Sequence, residues 1–244
     1  MAVIQDIRMH TNVVNSLKLT RLLQLCSPGL PVGGFSFSQG LEFAVEEGWV
    51  SNVEECAAWI TTNLQASIGS TDLVIIRLAL DCLNQTNDEA QLQQLNELAI
   101  ASRESQELRL ADVAMGRALL RVLTQQTTEF TAAQIKLLEQ MQDWQDISFA
   151  SAFAVACYCW QLDQQLALTG FCWMFIENQV AAATKLVPLG QTQAQNLMFS
   201  LSELVDEVIA DANSRQRSQI GNSLPSVAMA SAWHETQYSR LFRS

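Results

Sequence analysis

His234 and Glu235 stand side by side near the C-terminal end, an imidazole next to a carboxylate. On a helix such a pair opens the HExxH pattern, in which two histidines four apart bind zinc; Tyr238 occupies the place of the second histidine. The chain holds two histidines, His10 and His234, and six cysteines with no CxxC pair. A histidine-built zinc site is hard to assemble from that supply. His234 therefore reads as a surface or capping residue, and it is the one candidate metal ligand. Cys26, Cys56, Cys82, Cys157, Cys159 and Cys172 read as reduced thiols in the core of a cytosolic protein. Taken with His234 and Glu235, they leave open a protein that itself binds a soft or borderline ion.

The stretch LLQLCSPGLPVGGFSFSQGLE, residues 22–42, packs two prolines and four glycines between apolar flanks. A phosphate-binding loop needs GxxxxGK[ST], so that backbone amides and a lysine reach the phosphates; here Gln39 precedes Gly40 and no lysine is near. The nucleophile elbow GxSxG fails as well, because Ser36 stands where its first glycine belongs. What remains is a tight interhelical turn. Pro31 fixes φ, Gly33 and Gly34 open conformations closed to other residues, and Ser36 or Ser38 is placed to cap a helix running on from Gly40.

Three further positions carry two readings each. Glu177 and Asn178 interrupt an apolar run, which suits either a helix face or an acid–base pair with a raised carboxyl pKa. Lys185 is the one Lys or Arg between Lys136 and Arg215. It either complements a helix dipole before Pro188 or offers a cationic contact to an acidic partner. Tyr238, Arg240, Leu241, Phe242 and Arg243 form the tail. Residues of these types anchor protein interfaces, or Leu241 and Phe242 fold back on their own core.

The elements that must position these residues are helical. Leu197, Leu201, Leu204, Val205, Val208 and Ile209 form one stripe, and Ala111, Met115, Ala118 and Val122 another. Ser51–Glu54 reads as a capping box, Asp88 or Asn87 as a cap, and Thr131 as another. Stops fall at Pro28, Gly48, Gly69 and 188–190. Arg103 and Glu104 can pair with Glu107 and Arg109 along a solvated helix face, and Gly116 marks a close helix contact. No alternation argues for strands. We expect an all-α fold: a single compact domain of about ten helices with short loops and no sheet. Residues 1–16 read as a loose leader and 17–226 as the helical body, closing in a polar linker at 214–226. Residues 227–244 read as a short helix and a partner-binding tail.

Fourteen basic residues against twenty-five acidic ones give a net charge of −11. That charge argues against nucleic acid and anionic membranes as partners. The apolar runs 149–160 and 166–176 are shorter than the ~20 residues a membrane span needs, so they read as core helices. The opening MAVIQDIRMH lacks the pattern of an export signal, and a cytoplasmic protein is expected.

Four stretches, 22–50, 101–123, 177–195 and 234–244, together resemble the UreF family of urease accessory proteins. The likeness runs from about residue 17 to the C-terminus. It implies an all-helical homodimer with no catalysis of its own. Such a protein bridges the accessory protein UreD, also called UreH, and the GTPase UreG. The assembly docks on apo-urease, where nickel is installed. The resemblance implies no cofactor for this chain: nickel is handled by the complex, and GTP is bound by the partner. By position, His234, Glu235, Tyr238, Arg240, Leu241, Phe242 and Arg243 fall in the segment that contacts UreD, and Lys185 falls on the GTPase-facing surface. Pro31, Gly33, Gly34, Ser38 and Gly40 fall in the family's signature loop. A nickel-binding or nickel-conducting metallochaperone is the alternative.

Overall fold

The computed structural model describes residues 15–243, so His10 and residues 1–14 of the expected leader lie outside the described residues. Among the described residues there are twelve α-helices and no strand. They are α1 (Ser16–Cys26), α2 (Leu41–Glu46), α3 (Val53–Asn63), α4 (Leu73–Gln85), α5 (Glu89–Ala101), α6 (Gln106–Thr124), α7 (Ala132–Gln142), α8 (Phe149–Cys159), α9 (Gln164–Leu186), α10 (Gln191–Ser202), α11 (Val205–Ser214) and α12 (Pro225–His234). None is long and apolar enough to cross a membrane.

The two apolar runs become α8 and the first half of α9, and the core is built around them. Ten of the eleven residues of α8 are buried. Its alanines let α4 and α6 lie close on either side, while Phe149, Phe153 and Phe171 fill the remaining space with ring centroids 5.1–6.1 Å apart. Helix α9 is the long spine that α1, α10, α11 and α2 pack against. At Gly170 the spine carries no Cβ, which lets Leu22 and Cys26 of α1 sit directly on it.

Several local expectations need correction. The cap of α3 is Asn52, whose side chain accepts from the Glu55 amide; Glu55 reaches back to the Ser51 amide and hydroxyl. The motif is therefore reciprocal but sits one residue later than Ser51–Glu54. Gly69 does not stop a helix. It lies within a π-helical stretch, Leu64–Asp72, that joins α3 and α4 into one continuous rod, and its bare Cα admits Val208 of α11. The stripe from Leu197 to Ile209 is split between α10 and α11, with its apolar side buried in both. Asp88 and Thr131 cap α5 and α7, the latter in a full capping box with Gln134.

Of the charges near the start of α6, Glu104 and Arg109 are exposed as expected, but Arg103 and Glu107 are not on a solvated face. Arg103 turns inward and bridges Asp72 at 2.6 Å and Asp112 at 3.2 Å, and Asp112 also accepts from the Phe149 amide. Burial works against the Arg103 charge, but Asp112 and Asp72 outweigh it and hold the guanidinium above its ordinary range. This cluster ties the π-helical stretch to α6 and to the start of α8.

Among the described glycines Gly116 sits in the closest quarters, since a Cβ there would overlap the Ile147 carbonyl oxygen. Alanine would gain roughly 1 kcal/mol of helix propensity. Overpacking against fixed backbone costs about 1–3 kcal/mol or more, and it prevails here. Gly116→Ala is expected to lower the urea midpoint with an unchanged m-value, and an equal or raised midpoint would contradict the packing described.

Candidate functional site

The loop between α1 and α2 is a socket for the C-terminal end of the chain. Gly33 and Gly40 hold φ of 77° and 83°, values that only glycine adopts freely, and Gln39 follows at 52°. Gly40 has a second reason to be glycine: a Cβ would press on Ala230, the Ser231 amide and the Val227 carbonyl, so α12 seats on it. Gly40 is also the residue before α2, which starts without a side-chain cap; Ser36 and Ser38 do not cap it. Ser38 is buried instead, and its carbonyl accepts from Gln179 of α9. The Ser36 carbonyl accepts from the Arg243 amide at 2.7 Å.

His234, expected at the surface, is fully buried. The last turn of α12 carries it between α2 and α6. Its Nδ1 lies 2.8 Å from Glu107 and its Nε2 3.0 Å from Glu42, both carboxylates also buried. A neutral imidazole has one N–H, so serving both carboxylates requires the imidazolium. Burial opposes that charge, and the hydrogen bonds and charges of Glu107 and Glu42 overcome it, raising the His234 pKa above 6.5. The carboxylates sit at opposite edges of the ring and do not converge on one point. Among the described residues no group of three or more His, Cys, Asp and Glu is placed to hold a metal ion.

Glu42 has a second task. Its oxygens accept from the backbone amides of Leu241 at 2.6 Å and Phe242 at 2.9 Å. Glu235 closes the arrangement by accepting from the Glu107 amide at 2.9 Å. The tail is thereby fixed along α2. Gln237 meets Glu46, Leu241 and Phe242 meet Glu42, and Arg243 meets Ser36. Phe242 folds into the core, and Lys185, in the last turn of α9, lies 5.4 Å over its ring. Leu241 stays 65% exposed, and Tyr238, Arg240 and Arg243 face solvent. The expected partner residues thus divide. His234, Glu235 and Phe242 hold the segment in place, while Tyr238, Arg240, Leu241, Arg243 and Lys185 are available on its outside.

The other chemical candidates lie elsewhere. All six cysteines are buried and free. Burial pushes Cys26 to about 12, with the Glu177 charge adding to it, and pushes Cys56 to about 11; such thiols stay protonated. Asn178 lines a cavity of about 90 Å³ beside Asp72, Arg103 and Asp112, but Glu177 is not among its walls. Glu177 and Asn178 therefore do not act on a shared space.

Glu42 was not singled out by sequence, and Glu107 was read as an ion-pair partner on a solvated face, whereas it is buried against His234. Glu107 stands four residues before Ala111, on the buried stripe of α6, and an acid on an apolar stripe was the available signal.

A sequence model of the UreF family matches residues 50–202. The urease accessory protein UreF of Marinomonas sp. (strain MWYL1) is 48% identical over 235 residues, covering 96% of this chain and 98% of the relative. The chain belongs to the UreF family. UreF of Dechloromonas aromatica (strain RCB) is 40% identical over 228 residues, with 93% and 98% covered. UreF 2 of Brucella anthropi is 39% identical over 229 residues, with 94% and 97% covered. The UreF model's match begins after the glycine loop and ends before α12, so the socket and its occupant rest on the geometry above.

The raised pKa of His234 sets the sign of a pH effect. Its pairing contributes fully below the unfolded value near 6.5 and is lost as pH rises through the raised folded value. Exchange protection of the Leu241 and Phe242 amides, corrected for intrinsic rate, is expected to fall on the alkaline side. Glu42→Ala removes the acceptor of both amides and leaves His234 half-paired, at a cost of about 3–5 kcal/mol for a broken buried pair. Full protection of both amides in that variant would contradict the arrangement.

Proposed function

We propose that this UreF-family chain is a non-catalytic scaffold of urease maturation. It dimerises and bridges UreD, also called UreH, and the GTPase UreG, and the assembly delivers nickel to apo-urease in the cytoplasm. Nickel is cargo of the whole complex, GTP belongs to UreG, and this chain carries no cofactor of its own. The observation that carries the reading is the pinned C-terminal segment: internal carboxylates and an imidazole hold the backbone, which leaves Tyr238, Arg240, Leu241 and Arg243 turned outward. An ordered anchor loses less conformational entropy on binding than a frayed one. The segment is assigned to UreD.

Lys185 is assigned to the UreG-facing surface. Its position over the Phe242 ring supports reading the two assigned surfaces as neighbours. The chain modulates GTP-dependent activation through that contact.

The test is co-purification with the two partners. A chain ending at Thr236 keeps α12 and His234 and is expected to lose UreD. Lys185→Ala is expected to keep UreD and recruit less UreG. Normal UreD binding by the folded truncation would refute the first assignment, and normal UreG recruitment by the Lys185 variant the second.

A further inference from the structure

Beside the pinned tail, three aromatic rings meet on the outside of the molecule. Phe43 of α2, Trp49 just beyond α2 and Trp233 of α12 each touch the other two, with centroids 5.4, 5.9 and 6.0 Å apart. Trp49 is 38% exposed and Trp233 46%. Met229, one turn before Trp233 on α12, is 44% exposed. Two tryptophans and a methionine left partly in water on one face form an uncovered apolar patch of the residue types that dominate binding hot spots.

The rim of this patch is acidic. Glu46 and Glu47 stand three and four residues after Phe43, on the same side of α2. No lysine or arginine occurs between Arg21 and Arg77, or between Arg217 and Arg240, and these two stretches contain α2, Trp49 and α12. The tail runs from Glu46 past Glu42 to Ser36, so Arg243 lies toward the N-terminal end of α2, away from Trp49.

We propose that the Phe43–Trp49–Trp233 face is the docking surface for a separate protein that presents an apolar projection ringed by Lys and Arg. Charge complementarity selects that occupant. A second copy of this chain would set Glu46 and Glu47 against the same pair in a symmetric contact. An anionic lipid surface or nucleic acid would meet the same acids. The inference rests on the reading of the C-terminal end as the UreD side, and it extends that contact from the tail to the neighbouring aromatic rings, both being needed for binding.

The experiment measures affinity of the full chain for the UreD partner by interferometry at two salt concentrations. Three double variants are compared, each checked for helix content and unfolding midpoint. Trp49→Ser with Trp233→Ser is expected to weaken binding by at least ~30-fold, the loss of a hot spot. Glu46→Lys with Glu47→Lys is expected to weaken it ~10-fold or more and to flatten its salt dependence. Asp206→Lys with Glu207→Lys, a matched charge change on the exposed side of α11, is expected to leave affinity within about 2-fold. If the unaltered chain binds UreD and both patch variants bind equally well, the surface inference falls and the scaffold reading stands. If the unaltered chain does not bind UreD, both fall. If the tryptophan variant instead turns a dimer of this chain into a monomer, or releases it from phosphatidylglycerol vesicles, the occupant is a second copy or a membrane, and the inference is overturned.

Discussion

A buried charge must be paired, and the pairing of His234 fixes α12 and the tail that follows it. The imidazolium sits in an environment that by itself would strip its proton. It keeps the proton because Glu42 and Glu107 face its two nitrogens. Those partners come from α2 and α6, so one side chain of α12 sets the relative position of three helices. Glu42 then extends the constraint to Leu241 and Phe242 through their backbone amides. A hydrophobic anchor could have buried the same area, but it would have fixed neither the register of the tail nor the direction in which Tyr238 and Leu241 leave it.

Glycine supplies the other half of the arrangement. Gly40 does two things that no other residue can do together: it takes a left-handed φ and admits the backbone of α12 to contact distance. The loop read from sequence as a tight interhelical turn is also a receptor for part of its own chain. Gly116, Gly69 and Gly170 share the close approach without the left-handed φ: Gly116 admits the backbone that leads into α8, and Gly69 and Gly170 admit side chains of α11 and α1. Close approach at glycine and charge pairing at His234 are complementary: the first brings α12 down, and the second selects its rotation.

How much of this was legible follows from the range of each interaction. Helical periodicity, caps such as Asp88 and Thr131, and the reading of 149–160 as a core helix depend on neighbours within one or two turns, and they could be read directly. The fold class followed from them. The π-helical stretch could not, since Gly69 in a row of small residues looks the same whether it ends a helix or faces Val208 of α11. Arg103 pairs with Asp72, thirty-one residues away, and not with the nearby Glu107. Glu107 is itself taken by His234 across 127 residues. Ionic partners chosen over such separations leave no period. The tail residues and the loop glycines were named from sequence and Glu42 was not; burial sorts them into holders and presenters, and only tertiary structure decides burial.

The division between holders and presenters has a thermodynamic consequence. If the imidazolium stabilises the pinned tail, any partner that binds the pinned form must favour protonation of His234 by the same free energy. The coupling needs no contact between partner and histidine, because Glu42 is shared: one oxygen pair serves both the ring and the tail amides. The same logic applies at Phe242, whose ring is covered by Lys185 at the end of α9. A partner that holds the tail in place also holds the surface against which Lys185 rests. Lys185 and the pinned tail are then linked through one phenyl ring and one carboxylate, a path short enough to act by direct contact and not by any larger rearrangement of the helical body.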